Sequence, residues 1–200
     1  MRKEIRTERL VLRPITLKDV SNLSQLGGVA EIARMTSTLT HPFPELSAEF
    51  WVMQKIAQKR QGLSFTYAIT KDGGALMGVV DIFRRAPDAA LELGYWLGIP
   101  FWGQGYMLEA CRAVIREAKE GLGATRLSAG VYTDNPKSLR LLQKLGFKAE
   151  QGYAQWFSMA RMEKARGIDL TLDLSSLSLS LSNNKAVLPL PLQPKLVMRA

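Results

Sequence analysis

The sequence predicts an α/β (α+β) domain built on a mostly antiparallel sheet, and three observations carry that prediction. Short β-prone runs alternate with stretches of helical spacing along most of the chain. Two of those runs are separated by Lys71-Asp72-Gly73-Gly74, a tight-turn sequence that marks a hairpin. A glycine-bearing segment, Trp102-Gly103-Gln104-Gly105, lies between a strand and a long amphipathic stretch. At 200 residues the chain matches the length of one domain.

In order, Leu10 to Pro14 reads as a strand, and Leu17, Val20, Leu23 and Leu26 give a helix that stops at Gly27-Gly28. Residues 29–35 hold a further short helix. Ser47 is placed to cap a helix running to Gly62, with Phe50, Met53, Ile56 and Ala57 on one face. Phe65 to Thr70 and Leu76 to Phe83 form the hairpin, and Leu91 to Leu97 a third strand. After the glycine segment, Leu108, Cys111, Ile115, Ala118 and Leu122 fall on one helical stripe. Arg126 to Val131 is a strand, Pro136 to Leu145 a helix, and Phe147 to Phe157 a strand following the Gly146 helix stop. The domain is assigned to residues 1–170. Residues 171–200 read as a Leu/Ser-rich and then Pro-rich tail, able to give one closing strand before order is lost.

Composition excludes several function classes. No stretch approaches the roughly 18 unbroken apolar residues of a membrane span, and the opening Met1 to Arg6 carries charge instead of an apolar signal core. The chain has one cysteine, Cys111, and one histidine, His41 in a Pro-rich loop, so neither an internal disulfide nor a zinc site nor a histidine-based triad is expected. No metal and no membrane are expected, and a reducing, cytoplasmic setting fits best. Lys and Arg number 27 against 18 Asp and Glu, for a net charge of +9. That balance suits a solvated basic face, nucleic acid, a ribosomal surface or a phosphorylated cofactor.

The strand-to-helix junction at Trp102 to Met107 is an anion site in principle, because free backbone N–H groups and the positive helix end meet there and glycine lets a guest approach. It is not the dinucleotide fingerprint. The third glycine is missing, and Thr125-Arg126-Leu127-Ser128 stands where an acidic residue would be needed.

Four segments in this order, Leu93-Gly94-Tyr95-Trp96-Leu97, Trp102-Gly103-Gln104-Gly105-Tyr106-Met107-Leu108-Glu109-Ala110, Asp134-Asn135-Pro136-Lys137-Ser138 and Lys144-Leu145-Gly146-Phe147, resemble the GNAT acetyltransferases. Thr7 to Pro14 is similar to the opening strand of the branch holding the ribosomal-protein N-terminal (RimJ/RimL-like) acetyltransferases. The resemblance implies a GNAT-like sheet of about six to seven strands with helices on both faces, splayed to admit acetyl-CoA. It implies Tyr95, Trp96 and Leu97 along the pantetheine arm, and Gly103, Gln104, Gly105, Tyr106, Met107 and Leu108 around the pyrophosphate. Asn135 would bond near the reactive end, although Asn before Pro136 is equally a helix cap.

The resemblance further implies Glu92 as the base that receives the amine proton and Ser138 as the acid that protonates the CoA thiolate. A salt-bridged sheet glutamate and an ordinary first-turn serine are the plain alternatives. A backbone N–H at a β-bulge around Tyr95 to Leu97 would face the oxyanion. Glu109 is a carboxylate by type, more suited to packing near the loop. The chain departs from the family pattern at Trp102, at Met107 and at Leu142, where many members carry a tyrosine acid. Met35, Thr36, Phe43 and Tyr153 are the acceptor-side candidates, with Pro42 and Trp156 beside them. The implied activity is acetyl transfer to a primary amine, a protein N-terminal α-amine such as that of a ribosomal protein, by direct attack in a ternary complex. A small-molecule amine acceptor and an inactive ribosome- or RNA-binding protein are the alternatives. Nucleic acid is not required, and monomer and homodimer both fit.

Overall fold

The computed structural model describes residues 1–175. The elements are β1 (Ile5–Arg6), β2 (Val11–Pro14), α1 (Val20–Gly27), α2 (Ala30–Ala33), α3 (Glu45–Arg60), β3 (Ser64–Thr70), β4 (Leu76–Phe83), β5 (Glu92–Leu97), α4 (Tyr106–Leu122), β6 (Arg126–Tyr132), α5 (Pro136–Lys144), β7 (Lys148–Ala149), β8 (Ala154–Ser158) and β9 (Glu163–Asp173). The strands form one nine-stranded sheet in the order β1-β2-β3-β4-β5-β6-β9-β7, with β8 also on β9. Every pairing is antiparallel except β5 with β6. The nine strands exceed the number expected because β1 and β7 have two residues each, too few to leave a periodic trace. Among the described residues no helix is long and apolar enough to cross a membrane.

The period-2 alternation of the central strands sorts their side chains to two cores. Leu12, Ile69, Val80 and Ile82 meet Ala110, Cys111 and Val114 of α4 on one face. Ala68, Val79 and Trp96 meet Leu23 of α1, Ile32 of α2, and Ala48 and Val52 of α3 on the other. Helices on both faces leave β3 and β4 buried on both sides, which is why β4 reads as a nearly continuous apolar run broken at Asp81.

Three expectations are corrected. The third helix starts at Glu45 behind Pro44, not at a Ser47 cap, because Phe43 is buried and its carbonyl accepts the Ser24 hydroxyl at 2.7 Å, fixing the chain just before it. Its buried face carries Ala48 and Val52, while Phe50 and Met53 are 64% and 53% exposed. Two apolar stripes run along this helix, and the smaller side chains are the ones that allow close approach to α1 and the sheet. The strand expected over 147–157 is divided by a turn at Glu150 to Tyr153, where Gly152 takes φ +92°. Its halves pair with successive parts of β9. β9 itself runs through residue 170, and Leu170, Leu172 and Leu174 of the alternating run are buried. The rest of the tail lies outside the described residues.

Candidate active site

β5 and β6 run parallel and meet at one place. The Ser128 N–H donates to the Leu91 carbonyl at 2.9 Å, and Glu92 is the Cα partner of Ser128. Beyond that point β5 pairs only with β4, and β6 only with β9. The free edge of β5 borders a cleft of about 690 Å³ lined by Leu93 to Leu97, by Gly130 and Val131 of β6, by the glycine junction, by α5 and by α2. An unpaired strand edge is a row of N–H and C=O groups able to bind an extended ligand.

At the junction, Gly103 and Gly105 adopt φ +75° and +80°, the left-handed region open to glycine at no steric cost. Gly105 is the N-cap of the 17-residue α4, whose first-turn N–H groups have no intrahelical partner. The junction is fastened from two sides. Trp102 Nε1 donates to the Leu97 carbonyl at 2.6 Å, and Arg9, paired with Glu109 at 2.7 Å, donates to the Gln104 carbonyl at 3.0 Å. Gly105→Ala is expected to cost about 1–2 kcal/mol of backbone strain. Its Cβ would meet only the flexible end of Arg9, at 3.3 Å, so thermal unfolding should show Tm lower by about 4 °C.

Across the cleft, Asn135 caps α5 through Oδ1, which accepts the Ser138 N–H at 3.1 Å. Lys137, Arg140 and Lys144, spaced about one turn apart, line the same cleft. Lys137 Nζ lies 4.3 Å from the centroid of the Trp102 ring, a cation–π contact that joins the two arms. Deeper in, the Tyr95 hydroxyl and Ser138 Oγ are hydrogen-bonded at 2.8 Å. Burial pushes the Tyr95 phenol far above its ordinary value, so it is a neutral hydroxyl at physiological pH.

The far end is closed by α2 and the turn after it, which contribute Glu31, Ile32, Met35 and Thr36. Arg161, from the β8–β9 turn, fixes this end. Its Nε donates to the Arg34 carbonyl at 2.9 Å, and its guanidinium grips Asp134 at 2.9 and 3.0 Å. That bond from Arg161 holds the Asp134 carboxyl below the usual carboxylate range. Ser158 Oγ donates to the Thr36 carbonyl at 3.3 Å. The α2 turn and the Asp134-Asn135 turn are thereby tied to one hairpin.

A splayed strand pair, a left-handed glycine loop at a helix N-terminus and a capped helix bearing three cations are the parts a pantetheine-linked polyphosphate needs. A sequence profile described as an acetyltransferase (GNAT) domain matches residues 9–148. The chain belongs to the GNAT acetyltransferases. The N-acetyltransferase p20 of Bacillus licheniformis, itself uncharacterized, is 29% identical over 147 residues, covering 72% of this chain and 82% of that one. The ribosomal protein uS5-alanine N-acetyltransferase of Escherichia coli is 33% identical over 99 residues, 48% of this chain and 50% of that one. Among solved structures, RimL, a ribosomal L7/L12 α-N-protein acetyltransferase in complex with CoA, superposes with a TM-score of 0.74 at 19% identity, covering 86% of this chain and 99% of that one. Mycobacterium smegmatis RimJ in complex with a CoA disulfide gives 0.73 at 18%, covering 84% and 83%. The last two show a shared fold. The protein is an N-acetyltransferase of a family that uses acetyl-CoA as donor.

In this acetyltransferase Tyr95, Trp96, Leu97, Gly103, Gly105, Tyr106, Met107, Leu108, Asn135, Ser138, Met35 and Thr36 all line the cleft. Glu92, Gln104, Phe43 and Tyr153 do not, nor do Pro42 and Trp156. Glu92 sits at the closed end, where the strands still pair, and its carboxylate receives two bonds from Arg85 at 2.7 and 3.0 Å. The side chain of Gln104 turns back, Nε2 donating to the Pro100 carbonyl at 3.1 Å. Phe43 is core, 4% exposed. Tyr153 lies on a separate small hollow with Glu150 and Asp169, its ring under the Arg166 guanidinium. The register of β5 on β4 is unbroken from Glu92 to Leu97, so no bulge interrupts it there. Leu142 is buried, 1% exposed, and faces the core where a tyrosine acid would otherwise be sought. The sequence reading passed over Glu31 and the α5 cations Lys137, Arg140 and Lys144. The cations carried a legible signal, their spacing behind an Asn-Pro cap.

Proposed function

We propose that the enzyme acetylates a protein N-terminal α-amine, in keeping with its relation to ribosomal-protein N-acetyltransferases. The observation that carries this reading is the lack of a buried carboxylate at the cleft. Glu92 is outside it, and among the described residues the one acidic side chain lining it is Glu31, which is exposed. An enzyme without an embedded base favours an amine that loses its proton unaided. An α-amine with a pKa of about 7.7–8.0 is roughly one-fifth to one-third neutral near pH 7.4, whereas a lysine ε-amine at about 10.4 is roughly a thousandth neutral.

The free β5 edge at Tyr95, Trp96 and Leu97 would hold the pantetheine amides of acetyl-CoA. The backbone N–H groups at Gly103, Gly105 and Tyr106 to Leu108 would hold its pyrophosphate, with Lys137, Arg140 and Lys144 meeting the remaining phosphate charge. Bound there, acetyl-CoA supplies an activated acetyl group. The chain's own part is to align the neutral amine beside it and to deliver the Ser138 hydroxyl proton to the departing sulfur as the carbon–sulfur bond breaks; the Tyr95 hydroxyl returns a proton to Ser138 Oγ, and the proton shed by the acylated nitrogen, carried through solvent in the cleft, restores Tyr95 to its neutral form. The free, buried Cys111 suits a cytoplasmic protein.

A peptide with a free N-terminus and one internal lysine tests the reading. Mass spectrometry after incubation with acetyl-CoA at pH 7.4 should find the acetyl group on the α-amine alone. The rate at low peptide concentration should rise with pH and level off above about pH 8, following the amine. Acetylation of the lysine, or a rate flat from pH 6.5 to 8.5, contradicts it.

A further inference from the structure

The lining of the cleft carries charge of both signs, on different helices. Lys137, Arg140 and Lys144 of α5 line it on one side, and among the described residues Glu31 of α2 is the one carboxylate in its lining. The other carboxylates near the cleft are committed: Glu92 to Arg85, Glu109 to Arg9 and Asp134 to Arg161. No described cation lies within salt-bridge distance of Glu31, and Arg34, three residues along, offers its carbonyl to Arg161. Beside Glu31 the lining is apolar or weakly polar: Ile32, Met35 and Thr36.

We infer that Glu31 is the specificity residue for the acceptor. It draws the incoming ammonium to the α2 end and turns away acceptors with negative charge close behind the amine. The inference rests on the amine-acetylating reading above but not on the amine being an N-terminus. A polyanionic donor and a cationic acceptor sharing one cleft need charges of both signs, on different elements, to keep each from the other's place. The backbone of α2 is held by Arg161 and by its own turn bonds, so the Glu31 side chain contributes charge without supporting the fold.

Steady-state kinetics with two acceptors, a peptide beginning Ser-Ala and 2-phenylethylamine, separates the possibilities. For whichever amine the wild type acetylates, Glu31→Gln should raise the acceptor KM about fivefold and Glu31→Lys about 20-fold, as expected of a single charge partly shielded by water. Turnover at saturating acceptor should stay within about twofold, and Glu31→Asp should restore most of the loss. The affinity for CoA, read by calorimetry, should not change. A Ser-Asp peptide should be a poorer acceptor than Ser-Ala for the wild type and should equal it for Glu31→Gln. An unchanged acceptor KM in both charge variants overturns the role of Glu31. Turnover of the small amine but not the peptide overturns the N-terminal reading while leaving Glu31 tested, and turnover of neither overturns both.

Discussion

Exchanging Ser138 for alanine should lower kcat about 100-fold while leaving the affinity for acetyl-CoA nearly unchanged, the loss expected when a positioned general acid is removed. The structure makes this substitution unusually selective. The bond that caps α5 uses the Ser138 backbone N–H, which donates to Asn135 Oδ1, and alanine keeps it. What is lost is Oγ, with its 2.8 Å bond to the Tyr95 hydroxyl. Tyr95→Phe keeps the ring and the β5 edge and removes only the partner of Ser138, so its effect should be smaller, about tenfold, and should fall on kcat. Ser138→Thr, which retains a hydroxyl on the same carbon, should recover part of the rate. Rapid-mixing measurement of the first turnover, with calorimetric titration of CoA against each variant, gives both quantities. A first-turnover rate for Ser138→Ala equal to that of the wild type would mean that water protonates the sulfur.

The strands and helices that frame the cleft were legible because each carries a local signal. The turn at Lys71 to Gly74, the Asn135-Pro136 cap and the glycines of the α4 junction fix the chain by their own conformational preferences. Most of the cleft lining along β5 and the α4 junction could be read for the same reason: it is made largely of backbone, placed by elements adjacent in sequence. The misses within the site concern where a side chain points. Glu92 stands on the expected strand, but the guanidinium that claims it comes from Arg85 in the preceding loop, a pairing no periodicity encodes. Gln104 occupies the expected loop position and turns its amide to Pro100. On α3 the sequence offers two apolar stripes, and the choice between them depends on how near the helix approaches α1 and the sheet, which is settled by small residues such as Ala48. The α2 end of the cleft was the least legible. It is assembled from a four-residue helix and a hairpin more than 120 residues away, joined by Arg161 and Ser158.

Asp19→Ala should destabilise the protein by about 3 kcal/mol at neutral pH, the scale of breaking a buried ion pair by removing one partner. Asp19 is 2% exposed. Its carboxylate accepts from Arg13 at 2.6 and 2.9 Å and from the Thr16 N–H and hydroxyl at 2.9 and 3.1 Å. Arg13 in turn donates to the carbonyls of Gly73 and Gly74, so one carboxylate joins β2, the start of α1 and the hairpin turn. Alanine leaves a half-buried guanidinium without its counter-charge, held only by backbone carbonyls, and the Thr16 N–H without its acceptor, and Tm should fall by about 10 °C. Asparagine, which keeps an acceptor for Thr16 but not the charge for Arg13, should fall between. Burial alone would raise the Asp19 pKa, but the bonds from Arg13 and Thr16 outweigh it and hold it below its ordinary value. A carboxylate with a depressed folded pKa contributes its stability in full above its unfolded pKa of about 3.9, and that contribution disappears as pH falls through the folded value. Urea midpoints should therefore separate wild type from Asp19→Ala by a constant amount between pH 5 and 8, and the two should converge below about pH 4. A gap that persists undiminished at acid pH would assign the loss to the cavity and not to the charge, because a void is indifferent to protons and an ion pair is not.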